Sequence, residues 1–437
     1  MINNRHIVYM GGAYMLLMFR VKNFASFKDE VVLDMRAMSY KDMKEHVIER
    51  GNSKALKTMA VFGKNASGKS NLISAIFYFK SFIYNQFFNH EPDESDNNKI
   101  GRVLNVKRNR FRLSNQGSKE SEFEILFNHK DNIYQYGFIV EDMPDEKSYV
   151  IKEEWLLYND KTVFERDKNK LTFGKKYLSE LTKIEKYRDD RLYIGVLDYF
   201  ATGTVKEIVD GFKAYLKNGL NIHFELFLEA SVKGVVSNVS YSRRLIEDPE
   251  YRNEIEKFIR FADVGIEGLS IRNSAEDGED DSVEVYTIHN VYDEKGEIAG
   301  HEEFEMSMES SGTIRYFSFI QYVLNIMEEG GTFIVDEMSA RLHPILVKFI
   351  VDLFQSEKNK NAQLIFTTHD VGLMDRRQFR RDEIAFVDKD RKGVSSFYTL
   401  ADIRVRSDAS FAKDYMAGKY GAVPVLDSKV AEGLVSE

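Results

Sequence analysis

The chain has 437 residues, of which 43% are hydrophobic and 30% charged, and its formal net charge is −9. This composition is typical of a globular protein with a large core, and the length predicts more than one lobe. The lack of cysteine excludes disulfides, zinc–thiolate sites and cysteine nucleophiles, and the acidic balance argues against wholesale coating of nucleic acid.

Two observations predict a cytoplasmic protein that does not span a membrane. No apolar run approaches the ~20 residues that a membrane-spanning helix needs, and Met1–Gly12 lacks the apolar region of a signal peptide. The first organised pattern starts at Phe19, so Met15 and Met18 are alternative candidates for the initiating residue.

The first predicted elements are two strands. Phe19–Phe24 alternates as a strand does, and Glu30–Met35 has the pattern of its hairpin partner. Residues 36–57 are polar and charged, which predicts a loop or a short helix. Thr58–Phe62 is a short apolar run that predicts a buried strand.

A glycine-rich loop follows this strand and fits the pattern G-x-x-x-x-G-K-[ST], the phosphate-binding loop of nucleoside triphosphatases. The loop consists of Gly63, Lys64, Asn65, Ala66, Ser67, Gly68, Lys69 and Ser70. Its backbone N–H groups and the N-terminus of the next helix are expected to cradle phosphate oxygens. Lys69 would reach the β- and γ-phosphates, Ser70 would bind Mg²⁺, and Asn71 would complete the nucleotide-binding set.

The middle of the chain predicts a helix, a mobile loop, an antiparallel meander and a helical stretch. The helix runs to about Asn89, and the acidic segment 90–99 is predicted to be an exposed mobile loop. Residues 121–165 alternate as meander strands, whose tyrosines we interpret as core rather than as a base-stacking platform. Residues 175–262 have helical apolar spacing, and the basic stretch 166–191 is interpreted as a solvated helix face, with a nucleic-acid contact as the lesser alternative.

Three later segments predict the remaining parts of a nucleotide site. The apolar strand Thr332–Val335 ends in Asp336 and Glu337, which fit a Mg²⁺ ligand and a residue that polarises the attacking water. Another buried strand, Gln363–Thr368, leads to His369, a candidate γ-phosphate sensor. Strands are also predicted at 283–288 and 303–308.

A serine- and glycine-rich helix start supplies the last predicted part. Ser310, Ser311 and Gly312 precede the apolar helix Ile314–Ile326, and such a start presents free N–H groups and hydroxyls to an anion. Because the carboxyl ends of parallel strands share one edge of a sheet, Lys69, Asp336, Glu337 and His369 are predicted to converge.

This set, in this order, resembles the ABC-type ATPase head shared by SMC, RecF and the overcoming-lysogenisation-defect (OLD) nucleases. Gly63–Ser70 resembles the Walker A loop, Asp336-Glu337 the Walker B pair and His369 the switch histidine. Ser310 and Gly312 occupy positions of the L-S-x-G-Q signature motif. The D-loop position carries Arg341 and His343 where transporters have Leu-Asp, and no glutamine is assigned to the glutamine loop.

The chain also resembles small ABC-type proteins, described as AAA family ATPases, of bacterial abortive-infection and anti-phage operons. The stretches that carry this resemblance are Glu154–Leu156, Phe164–Arg166, Glu309–Arg315, Asp336–Pro344, Thr367–Asp370, Arg381–Ile384 and Tyr415–Pro424. It implies an α/β fold: an ABC-type P-loop ATPase head with a mixed central sheet, an antiparallel β meander and an inserted helical lobe. Residues 1–174 and 276–437 would form the head and residues 175–275 the lobe.

The resemblance implies ATP and Mg²⁺ as cofactors and a homodimer, or higher homo-oligomer, that shares its ATP sites. It also implies a protein effector, a nuclease or toxin from the same operon, that this ATPase controls. The alternative is a DNA-repair or recombination ATPase that binds DNA directly, and a stand-alone P-loop phosphotransferase is a third hypothesis. A self-contained nuclease is disfavoured, because no separate metal-binding acidic constellation is visible.

Overall fold

A computed structural model describes residues 14–88, 109–115, 117–144, 148–168, 170–181, 187–223, 244–262, 265–273, 283–340, 342–406 and 409–424. Its strands are β1 Tyr14–Lys22, β2 Val31–Asp34, β3 Val47–Arg50, β4 Ser53–Leu56, β5 Thr58–Phe62, β6 Glu120–His129, β7 Asn132–Asp142, β8 Tyr149–Tyr158, β9 Lys161–Asp167, β10 Lys170–Phe173, β11 Leu220–His223, β12 Ile266–Asn273, β13 Val283–Tyr292, β14 Ile298–Glu305, β15 Gly331–Val335, β16 Ala362–Thr367, β17 Ile384–Lys389 and β18 Ser395–Thr399. Its α-helices are α1 Lys69–Phe88, α2 Leu178–Leu181, α3 Tyr193–Phe200, α4 Gly203–Ala214, α5 Pro249–Ala262, α6 Ser311–Glu329, α7 Pro344–Gln355 and α8 Phe411–Met416.

Two large sheets form the framework. One is a seven-stranded sheet in the order β10-β9-β8-β7-β6-β1-β2, and it is antiparallel throughout. The other has the order β11-β15-β16-β5-β17-β18, in which every pair is parallel except β17 with β18. A three-stranded sheet, β12-β13-β14, and the β3–β4 hairpin complete the described strands. The predicted mixed α/β fold is therefore confirmed.

The parallel sheet is buried on both faces, which explains why its strands are continuous apolar runs. On β5, Met59 and Val61 join a core that the sheet shares with the seven-stranded sheet and with α1, α3 and α4. Ala60 and Phe62 point the other way, into a second core formed with α5, α6, α7 and α8. Successive residues of a strand face opposite sides, so this short strand serves both cores.

Several predicted elements are confirmed. The β1–β2 hairpin pairs as expected, α1 ends one residue before the predicted limit, and β6 to β9 form the meander. Tyr134 and Tyr136 are buried, which confirms the prediction that the tyrosine-rich face is core. The amphipathic pattern around Ile208 and Phe212 is confirmed as the buried face of α4.

Other predictions differ from the structure. Strand β1 starts at Tyr14, five residues before the predicted Phe19, and Tyr14 pairs with His129. Residues 36–57 contain the β3–β4 hairpin, not only a loop or short helix. The stretch predicted to be helical, 175–262, includes β11, which extends the parallel sheet beside β15. The predicted mobile loop at 90–99 lies outside the described residues.

No helix within the described ranges combines the length and the apolar character needed to cross a membrane.

Candidate nucleotide-binding site

The glycine loop lies between the end of β5 and the start of α1, as its pattern predicts. A Cβ on Gly63 would lie 2.4 Å from the carbonyl oxygen of Val387, and one on Gly68 would lie 2.6 Å from Ser395 Oγ. Gly68 also has φ of +117°, a conformation that disfavours any other residue. Both glycines are therefore required by close contacts with β17 and β18.

Side chains distant in sequence hold the loop in place. Ser395 Oγ donates to the carbonyl oxygen of Ser67 at 2.6 Å and lies 2.8 Å from Ser26 Oγ. The predicted nucleotide ligand Asn71 donates its side-chain amide to the same Ser26 hydroxyl at 2.7 Å. Lys64 Nζ lies 3.0 Å from a carboxylate oxygen of Asp388. The roles of Ser26 and Ser395 could not be predicted from the sequence, because neither residue lies in the motif.

Lys69 lies inside the loop and is only 5% exposed. Its Nζ donates to the carbonyl oxygens of Gly63 at 3.0 Å and Lys64 at 3.2 Å. Burial lowers the pKa of the Lys69 amine, and the nearby carboxylates of Glu337 and Asp336 counteract that effect. The amine is thus within electrostatic reach of both acids that sequence analysis assigned to the site.

Asp336 and Glu337 follow β15 and are fixed by the end of the neighbouring strand β16. Thr367 Oγ1 donates to Asp336 Oδ1 at 2.7 Å and accepts the Glu337 backbone N–H, also at 2.7 Å. Glu337 has φ of +51°, an uncommon conformation for a residue other than glycine. Thr367 therefore orients both acids, a role that no sequence motif indicated.

His369 lies two residues beyond β16, on the same edge of the sheet. Its Nε2 is 3.9 Å from Glu337 Oε1, and both side chains are about 40% exposed. Burial and the positive charge of Lys69 lower the pKa of His369, while Asp336 opposes the shift. The structure thus brings Lys69, Asp336, Glu337 and His369 together, as the sequence predicted.

The predicted signature residues lie at the start of α6. Ser310 caps α6 by accepting the Thr313 backbone N–H at 3.1 Å. Ser310 and Ser311 are exposed and Gly312 is half-buried. In the part of the chain that the structure describes, no hydrogen bond or ion pair joins these three residues to Gly63–Ser70.

The residues present fit a magnesium–triphosphate group. The buried Ser67 hydroxyl in the glycine loop has no hydrogen-bond partner among the described residues, so a phosphate oxygen could bind to it. Ser70 is exposed and follows Lys69 in the first turn of α1, and the Asp336 carboxylate is near enough to the Lys69 amine to affect its pKa. One hydroxyl and one carboxylate suffice for Mg²⁺ when phosphate oxygens and water supply the other ligands.

A family model described as "AAA domain, putative AbiEii toxin, Type IV TA system" matches residues 59–375. The chain belongs to this AAA domain family. The matched region starts within β5 and ends shortly after His369, so it contains the glycine loop, Ser310–Gly312 and the Asp336-Glu337 pair. The family assignment gives the chain an AAA-type ATPase domain.

Solved structures similar to this AAA domain protein include heads of SMC proteins. The SMC head domain from Thermotoga maritima is 14% identical, with a TM-score of 0.43, and the alignment covers 90% of this chain and 100% of that one. The Smc head from Pyrococcus furiosus, bound to the C-terminal domain of ScpA, is 16% identical, with a TM-score of 0.46 and coverage of 93% and 99%. The Smc head from Pyrococcus yayanosii is 15% identical, with a TM-score of 0.45 and the same coverage. No curated protein matches the chain significantly.

Proposed function

We propose that this AAA domain protein hydrolyses ATP at Gly63–Ser70 and uses the nucleotide state to control a partner protein. The observation that carries the proposal is the convergence of Lys69, Asp336, Glu337 and His369 beside a glycine loop of matching shape. A lysine that can bind phosphate, a carboxylate that can bind Mg²⁺ and a residue that can position water are groups that P-loop NTPases use for phosphoryl transfer to water.

Each side chain has a distinct task in the proposed reaction. The loop N–H groups and the Lys69 amine would bind the β- and γ-phosphates, with Lys69 leaving its present loop carbonyls to do so. The Glu337 carboxylate would orient the attacking water and accept its proton, and His369 would donate a hydrogen bond to the γ-phosphate. Ser70 and Asp336 would hold Mg²⁺, which when bound offsets the charge on the phosphate oxygens.

The exposed start of α6 supports a head-to-tail pair. Ser310 and Ser311 are exposed in one chain, and a helix N-terminus favours an anion. In the proposed dimer, these residues of one copy cap the ATP bound to Gly63–Ser70 of the other. Closure of the pair would then complete two sites at once and turn nucleotide binding into a change of shape.

Calorimetry and a turnover assay test the nucleotide site. Mg-ATP should release heat on binding to the wild type and none with Lys69→Ala, because the β/γ-phosphate contact is lost. Glu337→Gln should bind ATP normally and reduce turnover by roughly 100-fold or more, because the water loses its base. Wild-type turnover by Glu337→Gln would contradict the proposed role of Glu337, and unchanged binding by Lys69→Ala would contradict the assigned phosphate site.

The finer part of the proposal concerns the partner, an effector such as a nuclease or toxin used in anti-phage defence. The family is described by a putative toxin and a toxin–antitoxin system, and this association with toxins is the support for such a partner. The test is co-purification with the product of the adjacent gene, with and without ATP. Nucleotide-dependent association is expected. No association, together with salt-sensitive DNA binding strengthened by ATP, would favour a DNA-repair ATPase instead.

A further inference from the structure

The backbone of Glu337 is held in an uncommon conformation by its surroundings. Its φ of +51° is rare for a residue with a side chain, and such conformations persist only where neighbouring contacts impose them. The N–H of Glu337 bonds to Thr367 Oγ1, and the next N–H, that of Met338, donates to the Thr367 carbonyl oxygen at 3.0 Å. These contacts tie the N-terminal and C-terminal sides of Glu337 to the end of β16.

The carbonyl oxygen of Glu337 is bound from a different direction. Ala340 donates its backbone N–H to this oxygen at 3.0 Å, within the local turn. Arg315 donates from Nη2 to the same oxygen at 2.9 Å. Arg315 belongs to α6, five residues after Ser310, so this bond links the helix that starts with the predicted signature residues to the backbone of the proposed catalytic glutamate.

The surroundings of Arg315 leave little room for its guanidinium to move. The residue is only 2% exposed, and its guanidinium lies 5.2 Å from the ring centroid of Phe319, one turn further along the same helix. The N–H groups of a guanidinium point in fixed directions. A guanidinium that is held in this way therefore moves together with the helix that carries it. A shift or rotation of α6 must therefore move the donor that holds Glu337.

We infer that Arg315 is a positioning residue that couples the start of α6 to Glu337 of the same subunit. This inference rests on the proposed function. In the head-to-tail pair, the start of α6 contacts the ATP of the partner copy, whereas Glu337 acts on the ATP of its own copy. Arg315 thus connects the two sites. When the start of α6 caps the ATP of the partner copy, Arg315 positions Glu337 beside the ATP of its own copy.

The coupling predicts cooperative turnover that depends on Arg315. Wild-type ATPase activity should rise with ATP concentration with a Hill coefficient above 1. Arg315→Met keeps much of the side-chain volume but removes the donors. It should lower kcat by about tenfold or more, leave the affinity for a fluorescent ATP analogue within about twofold, and bring the Hill coefficient to about 1.

A matched control is Arg166→Met. Arg166 is also a buried arginine that donates to backbone carbonyl oxygens, those of Arg191 at 2.7 Å and Lys168 at 3.1 Å, but it lies on β9 of the seven-stranded sheet. Arg166→Met should lower the melting temperature and leave kcat and the Hill coefficient of the folded protein unchanged. This control separates loss of a buried arginine from loss of coupling.

The outcomes distinguish the inference from the function on which it rests. A wild-type protein without ATPase activity would overturn the proposed function. An active wild type, together with a folded Arg315→Met variant of unchanged kcat and Hill coefficient, would overturn only the inference. If Arg315→Met fails to fold, Arg315→Leu, which also lacks the donors, is judged by the same criteria.

Discussion

His369 offers a direct test of the electrostatics of the site. Burial and the neighbouring Lys69 amine lower the pKa of its imidazole below the ordinary value of 6.5. Because kcat/KM reports the ionisation of the free enzyme, its pH profile should show an inflection below pH 6.5 that disappears in His369→Asn. An inflection at or above pH 6.5 that is present in the wild type and absent in the variant would contradict the lowered pKa of His369.

The position of Glu154 indicates that this residue stabilises the fold and does not take part in catalysis. It is fully buried on β8, accepts the backbone N–H groups of Tyr193 at 2.6 Å and Ile194 at 3.0 Å at the start of α3, and accepts the Tyr136 hydroxyl at 2.9 Å. Burial raises the pKa of Glu154 to about 6, and these hydrogen bonds and Arg166 oppose the shift. The carboxylate therefore anchors α3 to the seven-stranded sheet.

The raised pKa predicts a pH-dependent contribution to the free energy of unfolding. The native state binds the proton more tightly than the unfolded state, so this contribution is fully present below the unfolded value of 4.5 and is lost as the pH rises through 6. Between pH 4 and 7 the wild type should lose about 2 kcal/mol relative to Glu154→Gln in urea unfolding. The exposed neighbour Glu165 provides the control, Glu165→Gln. A wild-type-to-variant difference that is independent of pH would contradict the assignment.

At the scale of elements, the sequence predicted the strands that carry the site, because buried parallel strands are continuous apolar runs. Strands β5, β15 and β16 all have this form. Strand β11 was missed because it has only four residues, two of which are Asn221 and His223, and it follows a helix directly. Short polar strands such as β3 and β4 carry too little periodicity to be recognised.

The contacts between elements could not be read from the sequence. Ser26 and Ser395 are separated by 369 positions, yet their hydroxyls meet beside the glycine loop. Thr367 likewise sits at the end of a predicted strand, but only the register of β15 against β16 places it beside Asp336 and Glu337. Motif spacing thus predicts the side chains expected to contact the ligand. The residues that orient those side chains are determined by tertiary packing, which the sequence pattern does not show.

The hydrogen bonds that Ser395 makes beside the glycine loop give a prediction at the scale of elements. Ser395→Ala removes the hydrogen bonds to the Ser67 carbonyl oxygen and the Ser26 hydroxyl, so the loop becomes less ordered before it binds phosphate. We expect ATP to bind about fivefold more weakly, equivalent to about 1 kcal/mol. Calorimetric titration of Ser395→Ala against Ser396→Ala, its exposed neighbour on β18, measures the effect. Equal affinities of the two variants for ATP would contradict the proposal that Ser395 orders the glycine loop.

At the scale of the molecule, two cores share the parallel sheet, and each supports a different part of the site. The core facing the seven-stranded sheet carries α1 and hence the start of the helix that contains Lys69. The other core carries α6 and α7, which flank Asp336 and Glu337 in the chain. Because β5, β16 and β15 are adjacent strands of the one sheet that both cores share, the sheet fixes the distance between the glycine loop and the two carboxylates.

Nucleotide-dependent pairing is the central claim, and sedimentation velocity of the Glu337→Gln variant tests it most directly. With Mg-ATP this variant should sediment as a species of twice the chain mass, and without nucleotide as a single chain, because trapped ATP joins Gly63–Ser70 of one copy to Ser310–Gly312 of the other. Adding Ser310→Arg, which blocks the cap while leaving Lys69 intact, should abolish the dimer and retain ATP binding. A Glu337→Gln protein that binds ATP and remains a single chain, or a dimer that forms equally well with Ser310→Arg, would contradict the account.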